Sequence, residues 1–215
     1  MGDGVMVKRI VLILVSLLVA AASLSAAPRF FLGVSFNYDA NVLAPALAEK
    51  FETLEGIYND GNITGLQAIG PKFELVIFPF GEIPLGFGVN SATMLTVGYM
   101  SGGTHGYFSR KQDFRQDVGV SLMYQQAFGN AWGLFMDCGL SYSWYRVATS
   151  NKANSKGPVD YIRFTDWGLV ADFGAYLEND NTYFKVGGVF YYDLGYMEKF
   201  AFRYGLTLGG GVLFG

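Results

Sequence analysis

The stretch WGLFMDCGLSYSW, residues 132–144, decides how the chain folds. Every second residue from its start is apolar or amphipathic: Trp132, Leu134, Met136, Cys138, Leu140, Tyr142 and Trp144. Between them stand Gly133, Phe135, Asp137, Gly139, Ser141 and Ser143, small or polar apart from one phenylalanine. A period of two means a β-strand, because successive side chains point to opposite faces of the pleat. An acid in the middle of so apolar a run then poses the question of which face is the inside.

The composition narrows the answer. Charged residues are only 15% of the 215-residue chain, against about 25% in an ordinary soluble domain. Hydrophobic residues reach 51% and aromatics 17%, with 29 glycines, which is very apolar for one soluble domain of this length. One segment, Ile10 to Ala22, is apolar apart from Ser16; Lys8 and Arg9 precede it, and Ser23 to Ala27, small apart from Leu24, follow. A basic start, a short apolar run and a small-residue exit describe a secretory signal peptide rather than a membrane helix. The expected division is a signal over residues 1–26, cleaved after Ala26, and a mature domain over 27–215. Met6 would serve as a start as well as Met1.

Removal of Lys8, Arg9 and Asp3 with the signal leaves 13 basic and 17 acidic residues and a net charge of −4, which argues against nucleic acid as a partner. Cys138 is the only cysteine, so neither a disulfide nor a thiolate metal site is expected. The signal region has no cysteine for lipid attachment. No cofactor is implied.

The alternation of residues 132–144 recurs along the rest of the chain. Strands are expected at 30–38, 66–80, 85–100, 113–128, 132–147, 162–178, 182–196 and 201–214. Most are far longer than the ~5–6 residues typical of globular proteins, and a membrane barrel needs ~9–11 tilted residues to cross the hydrocarbon. Their connections alternate in length. Asp39 to Gly65, a dozen residues after 100, and ATSNKANSKGPVDY (148–161) are long; GEIP (81–84), GNA (129–131) and NDN (179–181) are tight. Only the last outer loop, around Met197 to Phe200, is short. Long loops on one side and tight turns on the other are the pattern of outer-membrane barrels. An even strand count puts both ends of the barrel on the periplasmic side.

Parity then assigns the faces. Over 201–214 one face carries Phe202, Tyr204, Leu206, Leu208, Val212 and Phe214, the other Arg203, Thr207 and three glycines. Over 166–177, Trp167, Leu169, Ala171, Phe173 and Leu177 oppose Asp166 and Asp172; over 182–196, Phe184, Val186, Phe190 and Tyr192 oppose Lys185 and Asp193. One face is free of charge each time. A water-soluble barrel would not expose that face and line its core with the charged one, so the apolar face is expected to meet lipid. Aromatics on it recur twelve positions apart: Phe87 and Tyr99, Trp132 and Trp144, Phe184 and Tyr196, Phe202 and Phe214. Twelve residues at about 3.3 Å, tilted by about 40°, rise roughly 30 Å, the separation of two interfacial girdles.

With these features the chain resembles the small eight-stranded outer-membrane barrels of the OmpA, OmpX and OmpW type. The resemblance covers residues 28–215 and is architectural. The glycine- and tyrosine-rich style is similar to small spirochaete outer-membrane proteins. The last strand also resembles the assembly signal that such proteins present to their insertion machinery, through Thr207, Gly209, Val212 and Phe214; here Gly215 follows the aromatic. The resemblance implies an all-β, eight-stranded antiparallel up-and-down transmembrane barrel in the outer membrane of a diderm bacterium, monomeric, surrounded by lipid, with its loops outside.

Eight strands leave an interior just wide enough for side chains. Parity sends Glu74, Asn90, Arg115, Asp117, Gln125, Asp137, Asp172, Lys185, Asp193 and Arg203 there, with Met94, Met123 and Phe135. Buried charges have to be paired, so a salt-bridged, closed lumen is expected. The first loop holds the only helical pattern: Leu43, Leu47, Phe51 and Leu54 fall on one stripe, with Asn41 as its cap and Gly56 at its end. A short helix in that outer loop is expected to pack on the rim. His105, the only histidine, stands near Ser101, Ser109 and Asp113 in a glycine-containing loop, and eight-stranded barrels that modify lipid A use histidine near the outer rim. Nothing fixes a base–nucleophile geometry here, so a solvated loop histidine is expected. The functions to separate are a non-enzymatic barrel presenting surface loops, passage of small hydrophobic molecules in OmpW-like fashion, a lipid-modifying enzyme using His105, and a secreted soluble lipocalin-like barrel.

Overall fold

A computed structural model describes residues 28–43, 63–80, 83–101, 104–107, 114–148, 161–194 and 200–215. The strands are β1 (Arg29–Leu43), β2 (Ile63–Phe78), β3 (Leu85–Ser101), β4 (Thr104–Tyr107), β5 (Phe114–Ala127), β6 (Trp132–Ala148), β7 (Tyr161–Asn179), β8 (Thr182–Asp193) and β9 (Phe200–Phe214). Their order is β2-β1-β9-β8-β7-β6-β5-β3, and a β2–β3 pairing closes the ring. All of these pairings are antiparallel. Eight long strands therefore form a closed up-and-down barrel, in which each of the eight pairs with a neighbour on both sides. The ninth strand, β4, lies along the far end of β3, with Met100 opposite His105.

Three tight connections sit at one end of the barrel. Pro79 to Pro84 joins β2 to β3, Phe128 to Ala131 joins β5 to β6, and Asp180–Asn181 joins β7 to β8. Gly129 turns the second with φ +81°, a conformation open to glycine without a side-chain clash. Asp180 turns the third with φ 47°, and Thr182 Oγ1 donates to the Asn179 carbonyl at 2.8 Å. Both ends of the barrel chain lie at this same end, where Phe30 faces Phe214.

Three expectations need correction. β1 runs to Leu43, five residues past its expected end. Asp39 and Asn41 keep their side chains in the lumen while the backbone pairs on both sides. Aspartate and asparagine read as turn formers, but inside a polar barrel they continue the inward face. Asn41 is thus a strand residue and no helix cap, and Leu43, placed on a helical stripe, ends β1. The other members of that stripe, Leu47, Phe51 and Leu54, lie outside the described residues, among which there is no helix. Likewise, the expected loop around His105 contains β4. Finally, β8 stops at Asp193; Tyr196 and the expected signal over 1–26 fall outside the described residues.

Side-chain direction follows the parity read from the sequence. On β5, alternate residues from Arg115 to Gln125 are buried, whereas Val118, Val120, Leu122 and Tyr124 are exposed. Small residues on the inner wall make room for large ones. A Cβ on Gly168 would strike the Tyr191 ring, and one on Gly133 the Tyr176 ring.

Candidate functional site

The lumen is filled in layers. At the tight-turn end Phe31, Phe78, Tyr176, Tyr183, Leu213, Val76, Met123 and Phe135 form a buried apolar cluster. The Phe31 and Tyr183 ring centroids are 4.8 Å apart, and Tyr176 stacks on Tyr183 at 5.0 Å. Gln125 Nε2 donates to the Tyr183 hydroxyl at 3.2 Å, which anchors the polar tip of that tyrosine. Below this layer the half-exposed pair Arg29–Glu178 closes the rim at 2.9 Å.

The next layer is ionic and is built on lysines. Lys72 Nζ lies 2.6 Å from Glu74 and 3.3 Å from Asp172; Lys185 Nζ lies 2.5 Å from Glu74 and 3.8 Å from Asp172. Because β2 and β7 are four strands apart in an eight-stranded ring, the Lys72–Asp172 contact spans the full width of the barrel. Lys185 also sits over the Phe135 ring, 5.2 Å from its centroid. Asp137, the acid of the opening stretch, is buried beside this layer, with its Cα opposite that of Asp172.

Toward the loop end a second ionic layer is built on arginines. Arg115 contacts Asp39 at 2.5 Å and Asp117 at 2.8 Å, and donates to Asn41 Oδ1 at 2.7 Å. Arg203 reaches Asp117 at 3.4 Å and Ser143 Oγ at 3.3 Å, and stacks on Tyr191 with 3.3 Å to the ring centroid. β9 and β5 are also four strands apart, so Arg203–Asp117 is the second link across the diameter. Asp166 and Asp193 are buried in the same half. Guanidinium forks satisfy several acceptors at once and lie flat on rings, which suits this multiply bonded layer.

Between the layers is a small cavity of about 40 Å³, bounded by Lys72, Asp137 and Asp172 on one side and Asp39, Arg115 and Arg203 on the other. That is room for roughly three water molecules. A polar void of this size suits hydration of charged groups; it is too small for a solute with several heavy atoms.

All eight charged residues assigned to the lumen are buried: Glu74, Arg115, Asp117, Asp137, Asp172, Lys185, Asp193 and Arg203. The inner wall also holds Lys72, two positions from Glu74 on the same face, Asp39 and Asn41, beyond the expected strand end, and Asp166, on the charged face of its strand; none of these is among the lumen residues expected from the sequence. On the outer surface, Trp132, Trp144, Phe184, Phe202 and Phe214 are exposed, and Phe87 is partly so. Within the pairs, Trp132, Phe184 and Phe214 lie toward the tight turns, and Trp144 and Phe202 toward the loops. Thr207 is buried and donates to Asn37 Oδ1 at 2.8 Å, while Val212 and Phe214 point outward. His105 has its backbone on β4, facing Met100, and Ser101 faces Thr104; Ser109 and Asp113 lie outside the described residues.

This arrangement, charged within and apolar without on a closed eight-stranded ring, has counterparts among solved structures. The fold is that of small outer-membrane barrels. Neisserial surface protein A matches with a TM-score of 0.55 at 13% identity over 87% of this chain and 98% of its own. A major outer membrane protein from Thermus thermophilus matches at 0.54 and 12% identity, over 88% of this chain and 100% of its own. Ail, the attachment invasion locus protein of Yersinia pestis, matches at 0.51 and 11% identity, over 86% and 98%. No protein-family model and no curated protein matches the chain.

Proposed function

We propose that the protein is a non-enzymatic outer-membrane barrel whose lumen is closed to solutes and whose working surface is its loops. The observation that carries this is the inversion of its packing. Leu206 is 65% exposed and Leu169 48%, while Lys185 and Asp172 are each 1% exposed. Exposed apolar side chains of this size cover the strands on all sides; such a surface is stable in hydrocarbon and a liability in water. Two ionic links across the full width, with an apolar layer at the tight-turn end, support closure.

In this reading the exposed aromatics sit at the two membrane interfaces. The tight turns and both barrel ends face the periplasm, and the loops face outside. Thr207, Gly209, Val212 and Phe214 form the signal read by the insertion machinery, and Thr207 also braces the lumen through Asn37. Partition tests the reading. The protein is expected to require detergent or lipid for a monodisperse state, and a monodisperse β-rich protein in plain buffer would favour a soluble lipocalin-like barrel.

A further inference from the structure

Two charges stand apart from everything above. Among the described strand residues, the outward face carries only Arg146 on β6 and Arg163 on β7, and no carboxylate faces outward. The two are direct cross-strand partners. Both lie at the loop end, two residues beyond another facing pair, Trp144 and Thr165. Phe114 of β5 faces Arg146 from the other side. Together these five residues line one surface groove at the barrel's outer edge. Arg163 is exposed, whereas Arg146 is half-buried and also interacts within the protein.

Like charges directly opposite each other on neighbouring strands are destabilising. An anion between them relieves that repulsion, and paired guanidinium groups match the oxygens of a phosphate. Depth identifies the source of that anion. Two residues past Trp144 is a rise of about 6–7 Å along the strand, which takes the guanidinium groups from the aromatic girdle into the headgroup layer. Trp144 and Phe114 then lie where the first part of an acyl chain or a lipid backbone would pack.

We infer that Arg146 and Arg163 form a binding site for the phosphate monoester of an outer-leaflet lipid, with Trp144 and Phe114 packing against the apolar part of the same molecule. The inference rests on the membrane reading above. It goes beyond that reading by giving one patch of the wall a specific lipid.

The test uses Trp144 as the reporter. In a Trp132→Phe/Trp167→Phe background it is the only tryptophan of the chain. The full chain is refolded into phosphatidylcholine vesicles in which either phosphatidic acid or phosphatidylcholine carries brominated acyl chains. Relative binding next to Trp144 is read from fluorescence quenching. Phosphatidic acid is expected to be preferred by about five- to tenfold, given the attraction of basic residues for anionic lipid. Arg146→Gln/Arg163→Gln should abolish the preference, and Arg163→Lys should keep part of it. Heat-dependent gel mobility confirms that each variant is folded, and Arg163→Gln alone serves if the double variant is not.

Equal quenching by the two lipids in the native arginine background, or an unchanged preference in the glutamine variants, overturns the site while leaving the barrel in its membrane. Quenching by neither lipid overturns the membrane reading and the site with it. Inorganic phosphate in the aqueous phase should not displace phosphatidic acid; full displacement would assign the arginines to a soluble anion and overturn the lipid.

Discussion

The inner and outer faces of a single strand have opposite chemistry. On β6 the outward residues Trp132, Leu134, Met136, Cys138, Leu140 and Trp144 are all exposed, while Phe135, Asp137, Ser141, Ser143 and Tyr145 are buried. In a soluble barrel the two sets would change places. Burying charge is costly unless it is paired, so an ionic interior is stable only when each charge finds its partner. An apolar exterior is stable only where the surrounding medium is also apolar. The two faces thus make separate demands, one on pairing and the other on solvent, and substitutions can challenge them one at a time.

The largest loss is expected inside. Asp117 serves both Arg115 and Arg203, so Asp117→Leu leaves two guanidinium groups short of charge compensation. Breaking a buried pair in this way costs about 3–5 kcal/mol, visible as a lower urea midpoint for unfolding from bilayers. Asp117→Leu combined with Arg203→Met should recover part of the loss.

The next loss is expected outside. Leu169 is 48% exposed and faces Leu140; arginine there should cost about 2–4 kcal/mol at mid-bilayer depth and block insertion. Val170, its neighbour on the other face, lines the cavity with Asp137 and Asp172. Val170→Arg should cost less, because carboxylates are at hand, although the added volume strains the packing. Equal losses in a bilayer refolding assay would contradict the assignment of faces.

No change at all is expected from the first loop. Since Val42 and Leu43 belong to β1, a clean deletion spans residues 44–56. Conductance through reconstituted barrels should be the same with and without it, because Lys72–Asp172 and Arg203–Asp117 still cross the lumen below. A clear rise would place the barrier in the loop and favour passage of small molecules.

Strand periodicity, the closing order of hairpins and the direction of each wall were legible in the sequence, because period two is local and the lumen imposes it on every strand. What stayed hidden depended on the third dimension. Asp39 and Asn41 looked like the end of a strand because turns and polar lumens favour the same residue types. The partnership of Arg203 with Asp117 joins residues 86 positions apart and follows only from the ring order. β4 carries a short THGY segment among glycines, too brief for periodicity to declare. Lys72, by contrast, is legible in the sequence, since it shares parity with Glu74, two residues away.

The native thiol gives the most direct test of the inverted packing. Cys138 is exposed on the outer face, six residues from Trp132 and six from Trp144, which places it midway between the proposed girdles. A charged, membrane-impermeant maleimide should label it readily in urea and leave it unlabelled once the barrel is folded into phospholipid vesicles, even though the folded chain itself does not cover the residue. Labelling of the vesicle-inserted barrel at the unfolded rate would show that water reaches this face and would contradict a lipid-facing wall.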